Sequence, residues 1–324
     1  MIFAETLPFE RKLTAKSIQE LRTERHDKRL TGLMCIDLGK NGLLYLFHNQ
    51  GQEAFAFLRT ESEGRIIPPE NTKDLIGQTA GFNVRDAVLA LPALRICKLA
   101  IFHPGPGSTS STTTGSLPNL LEKWREDKDA CFARVRWNEA EGLAFFNGES
   151  WSPSVLFSSI ENRTGDFRFL FSSQPEASCE VTRFIVPQYS DAWQEYHLQQ
   201  AFASICKFMF KRYEEFTGMG LVQSVIWMMS ETAAAEQLNV KVGQLQLEDL
   251  NLFPGPEKAA HAYRLLLRRL TGRIRALLGP ALLNSITADA AFELSPCQRT
   301  AANMHRLLEL GITIPILRET RGIT

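Results

Sequence analysis

Nothing in this sequence draws it to a polyanion or a membrane through bulk charge. Lys plus Arg and Asp plus Glu number 36 each, so the formal net charge is zero. Any affinity for nucleic acid or acidic lipid must then come from a local patch, which excludes a protein built to coat DNA. Long apolar runs are missing too. No stretch reaches the about twenty apolar residues of a membrane span, and the opening MIFAETLPFERKL lacks the basic start and apolar core of a signal peptide. These absences predict a cytoplasmic protein with no membrane span.

Cysteine and histidine are sparse and scattered. Cys35, Cys97, Cys131, Cys179, Cys206 and Cys297 stand singly, without a spacing that reads as a zinc or redox motif, and predict free thiols in a reducing compartment. The histidines, His26, His48, His103, His197, His261 and His305, form no i, i+4 pair. A dinucleotide glycine fingerprint, a Gly-x-Ser-x-Gly elbow and kinase signatures are absent as well. The expectation is therefore no catalytic residue, no cofactor and no metal: not an enzyme. Lone acids such as Asp37 and Asp289 read as turn or cap residues.

What the chain does have is repetition around one biased segment. HPGPGSTSSTTTGSLP, residues 103 to 118, combines Pro, Gly and hydroxyl side chains with almost nothing apolar to bury. Such a stretch cannot offset its ordering entropy by packing, which predicts a flexible linker over 104–117. Its glycines do not form a phosphate loop, because no Gly-Lys-Ser/Thr follows. The flanks resemble each other: LRTERHDKRLTGLMCIDLGKNGLLYL and LEKWREDKDACFARVRWNEAEGLAFF align without gaps at Leu21/Leu121, Arg25/Arg125, Asp27/Asp127, Lys28/Lys128, Gly42/Gly142 and Leu43/Leu143.

Each flank reads as a helix end, a strand, a turn and a strand. Ala133, Val135 and Trp137 alternate with Arg134 and Arg136, the period-two pattern of an antiparallel strand, and Asn147-Gly148 supplies a hairpin turn. GDFRFLF and CEVTRFIV continue as strands. In the first unit RICKLAIF, 95 to 102, reads as the closing strand after a helix starting at Asn83. Phe145, Phe146, Trp151, Phe157, Phe167, Phe169 and Phe171 could stack bases, but their spacing fits a sheet core better.

After Pro187 the period changes to helical. Trp193, Leu198, Phe202, Ile205, Met209, Tyr213 and Phe216 recur mostly three or four apart before a stop at Gly218. Pro256 with Glu257 opens a second helix. Ser295 caps a third, ended by Gly311, and ITIPIL closes the chain as a strand. This second region is itself doubled. MFKRYEEFTGMGLVQSVI and LTGRIRALLGPALLNSI match Arg212 with Arg273, Gly218 with Gly279, Leu221 with Leu282 and Ser224 with Ser285.

The stretch RLLLRRLTGRIRALLGPALLNSI carries Arg264, Arg268, Arg269, Arg273 and Arg275. On a helical wheel Tyr263, Leu266, Leu267, Leu270, Ile274, Leu277 and Leu278 share an arc about 120° wide with the arginines on its edges. That is a core helix with snorkelling flanks, still able to show a basic edge to a partner. Phe208, Met209, Phe210, Trp227, Met228 and Met229 exceed what one stripe can bury, and excess adaptable apolar surface marks an interface. The candidate partner-binding residues are Phe208, Phe210, Trp227, Met228, Met229, Arg264, Arg268 and Arg275.

The predicted architecture is α+β: a first small sheet unit over 1–103, the linker, a related second unit over 118–188, and an all-helical domain over 189–324 with a duplicated helix-glycine-helix. Thr31-Gly32-Leu33, Gly42-Leu43-Leu44-Tyr45-Leu46-Phe47 and Gly51 resemble the amino-terminal domain of PatA-type bacterial response regulators, the PATAN group and its relatives. Gly142-Leu143-Ala144-Phe145-Phe146 and Gly148 match the hairpin part. The resemblance implies a non-enzymatic bacterial signalling or scaffold protein, oligomeric or otherwise working through protein partners, a second copy of the chain included. The rival is a nucleic-acid-binding regulator using the Arg264–Arg275 edge and a winged-helix-like carboxy-terminal segment, RLLELGITIPILRET.

Overall fold

The computed structural model describes residues 10–76, 81–102, 107–137, 140–152, 155–158, 175–243 and 246–309. It divides into two compact units, Met1–Trp193 and Gln194–Thr324. The fold is α+β, with related antiparallel sheets in the first unit and a duplicated helical arrangement in the second.

The first half of unit one runs β1 (Glu10–Leu13), α1 (Ala15–Asp27), β2 (Gly32–Asp37), β3 (Leu43–Asn49), β4 (Gln52–Arg59), β5 (Gly64–Ile67), α2 (Thr72–Ile76), β6 (Phe82–Val88) and α3 (Leu91–Phe102). The second runs β7 (Gly107–Thr113), α4 (Leu117–Glu126), β8 (Cys131–Trp137), β9 (Ala140–Phe146), β10 (Val155–Ser158) and β11 (Ser178–Ile185). The sheets are ordered β1-β6-β2-β3-β4-β5 and β10-β9-β8-β11-β7. Read from the same end, β1-β6-β2-β3-β4 and β7-β11-β8-β9-β10 are one topology used twice.

The structural repeat is one residue out of step with the sequence match. Arg29 and Lys128 share a left-handed backbone just after α1 and α4, with φ of 51° and 59°. The Leu89 amide donates to the Thr31 carbonyl as the Val186 amide donates to Ala130. Arg29 therefore corresponds to Lys128, and Arg25 to Trp124. The identities Arg25/Arg125 and Lys28/Lys128 are not structural equivalences: Arg25 is buried whereas Arg125 is exposed. Gly42 turns into β3 at φ 97° whereas Gly142 lies inside β9 opposite Val135. A slip of one residue exchanges the two faces of a strand, so identity without register is misleading.

Two further expectations are corrected. Residues 107–113 of the predicted linker form β7, paired with β11 from Gly107↔Phe184 to Thr113↔Ser178. An edge strand needs backbone hydrogen bonds and tolerates exposed Ser and Thr, so the missing apolar side chains did not forbid it. The order of 82–102 is also reversed: Phe82–Val88 is the strand and Leu91–Phe102 the helix. Leu94, Ile96, Cys97, Lys98, Leu99, Ala100 and Ile101 are all buried. A helix covered all round shows no amphipathic period, and a short apolar run then reads as a strand.

That burial places α3 against β2 of the first sheet and β9 of the second. Ile18 of α1 joins Met34, Ile36, Leu44, Leu46 and Val84 on one face of the first sheet. On the other face Phe102 stacks on Phe57 with centroids 4.1 Å apart. Covered on both faces, β2 to β4 carry nearly continuous apolar runs. In the second sheet Leu117, Leu121 and Trp124 of α4 cover Cys131, Ala133, Val135 and Val181. Asn147 and Gly148 form the expected turn, with the Asn147 carboxamide oxygen accepting from the Glu149 and Ser150 amides. GDFRFLF, ITIPIL and Gly311 lie outside the described residues.

Unit two comprises α5 (Asp191–Thr217), which starts at the junction, α6 (Met219–Ala235), β12 (Val240–Gly243), β13 (Gln246–Asp249), α7 (Pro256–Glu293) and α8 (Pro296–Met304). The β12–β13 hairpin is an addition to the helices expected there. Asp249 fixes it to them by accepting from Tyr263 Oη at 2.6 Å and Gln199 Nε2 at 2.9 Å. Pro256 opens α7, and Ser295 caps α8 with a full capping box.

Candidate interaction surface

The glycine elbows are the same structure built twice. Gly218 has φ 77° and ψ 165°, and Gly279 inside α7 has φ 80° and ψ 165°. Matched positions are buried alike: Ile205 with Leu266, Met209 with Leu270, Tyr213 with Ile274, Val222 with Leu283 and Val225 with Ile286. Phe202 and Tyr263, also matched, stack on each other with centroids 4.1 Å apart and planes 10° apart. Tyr213, whose hydroxyl burial pushes above its usual pKa, lies beside the Arg273 guanidinium. Both contacts advance in the same direction along the chain. The first arm of α7 therefore runs parallel to α5, and both elbows emerge at one end of the unit.

At the elbows, between the buried turns of the two arms, apolar side chains are left in solvent. Phe216 is 48% exposed and its counterpart Leu277 is 44% exposed, with Met219 and Leu221 exposed next to Gly218. Leu277 is a correction to the core stripe in which it was expected. Burial lapses at the elbow and resumes at Val222 and Leu283, whereas the apolar periodicity runs on through Leu277. Periodicity alone misses this surface because it assigns every apolar residue in phase to the core.

The predicted partner-binding residues differ widely in exposure. Phe210 and Met229 are fully buried, a correction to their placement on a surface: they belong to the interior of the helical unit. Phe208 and Met228 are half-buried. Trp227 is 65% exposed. Arg264 is half-buried and donates to the His305 carbonyl at 3.1 Å. Arg268 and Arg275 are exposed, as are Arg269 and Arg273. Among the described residues no carboxylate forms an ion pair with any of these last four.

Among the described residues no three His, Cys, Asp or Glu side chains converge as metal ligands. Burial pushes the Cys35 thiol up to about 12 and the Cys131 thiol up to about 11, away from thiolate reactivity. Asp37 accepts from the Gly39 amide, a turn role. Phe145 and Phe146 are core residues, unavailable to bases; Phe167, Phe169 and Phe171 lie outside the described residues. No described helix is long and apolar enough to cross a membrane. No protein-family model, curated protein or solved structure matches the chain.

Proposed function

We propose that this is a non-enzymatic binding protein, of the signalling or scaffold kind that the PATAN-like motifs suggest, which engages a protein partner through its helical unit. The observation that carries this reading is the pair of equivalent elbows, which hold Phe216, Met219, Leu221 and Leu277 in solvent, Leu277 on the same arm as the exposed Arg273 and Arg275. Apolar anchors with exposed cations beside one of them suit a partner with an apolar and partly acidic face. The test is partner capture from the native cell with Phe216→Ser and Leu277→Ser together. Partners recovered by wild type and lost by the variant, at unchanged helix content, support the reading; identical recovery overturns it.

The exposed Arg268, Arg269, Arg273 and Arg275 favour one rival, nucleic-acid binding. Its winged-helix-like carboxy-terminal segment lies largely outside the described residues. Duplex DNA binding that steepens at low salt and vanishes in Arg268→Glu with Arg275→Glu would select this rival.

A further inference from the structure

We propose that β7 pairs with β7 of a second copy, antiparallel, joining two second sheets into one across a two-fold axis at Ser110. Among the described residues β7 is an edge strand, bonded to β11 on one side alone. Natural edges are shortened, charged, bulged or interrupted by proline to prevent pairing with another chain. The seven residues GSTSSTT have none of these guards, and Gly107 to Ser111 are exposed. The duplication supplies an internal control. β1 occupies the same place in the first sheet, but it is four residues long and reads ERKL. Pairing β1 with itself would set Arg11 against Lys12, a like-charge apposition that destabilises a ladder.

Self-pairing of β7 centred on Ser110 sets Ser108 against Thr112 and Thr109 against Ser111. Hydroxyl pairs of this kind favour adjacent strands and bring no charge repulsion. The arrangement is isologous and uses the β7 edge of each copy, so pairing through β7 closes at two copies. This goes beyond the partner reading, since it uses the first unit alone.

Light scattering of the full chain across a micromolar concentration range tests it. The expected mass is twice the 36.5 kDa of one chain, falling to a monomer in Ser108→Lys with Ser110→Lys, which crowds four cations around the axis. Phe216→Ser with Leu277→Ser should leave the dimer intact. If the lysine variant does not fold, Ser110→Cys decides: oxidation should link two chains through position 110 and wild type should give no such product. A wild-type monomer, a dimer unaffected by the lysines, or no link at 110 overturns the proposal; a monomer would leave the edge to a foreign peptide.

Discussion

Arg25 is the most telling single residue. It is fully buried and donates to Asp86, whose side chain is 22% exposed, and to the Ala87 carbonyl. Removing one partner of a buried pair leaves an uncompensated charge, so Asp86→Ala should cost about 3 kcal/mol in urea unfolding. Replacing both, Arg25→Met with Asp86→Leu, should recover most of that. The repeat shows that the fold does not require the pair: Trp124, the counterpart of Arg25, lies under Arg183, a cation over a ring at 5.5 Å.

His48, beside this pair, is 1% exposed. Burial first, then the Arg25 and Arg22 charges, lowers its pKa from 6.5 to about 3. The unfolded chain takes up a proton below pH 6.5 that the native state refuses until about pH 3. The contribution to stability is therefore complete above 6.5 and falls on acidification, by about 1 kcal/mol per pH unit. Comparison with His48→Gln isolates the effect from Glu53, which burial raises and which titrates in the opposite sense. A variant whose acid slope equals that of wild type would contradict this assignment.

At the scale of elements, the elbows depend on backbone that only glycine adopts easily. With φ near +80° and ψ near 165°, Gly218→Ala and Gly279→Ala should each destabilise by about 1–3 kcal/mol, although a Cβ at either would meet nothing within 4 Å. Gly272, in the first arm of α7, also has open space. Gly272→Ala should instead stabilise by about 0.5–1 kcal/mol, because alanine is the better helix former. Thermal melts of the three variants separate conformation from crowding. The elbows were legible in sequence because Gly218 and Gly279 punctuate matching apolar stripes. β7 and α3 were not. One is held by backbone bonds that leave no side-chain signal, and the other is buried on every side and so has no period.

For the whole molecule, doubling was legible and its register was not. Leu21/Leu121 and Gly42/Gly142 are real identities in the sequence, yet shared turns and ladder bonds set the first repeat one residue away. Phe210 and Met229 have the composition of an interface, but burial depends on the opposing helices, which composition does not report. The elbow surface is hidden for the same reason: burial lapses at each elbow while the apolar pattern runs on through it.

The central claim, that the helical unit works by contact at its elbows, is tested most directly by a photo-crosslinking residue placed at 216 or at 277 in the native cell. The account predicts adducts of the same partner from both sites and none from exposed position 257 at the far end of α7. Adducts that fail to appear at either elbow, or that appear equally at 257, would contradict it.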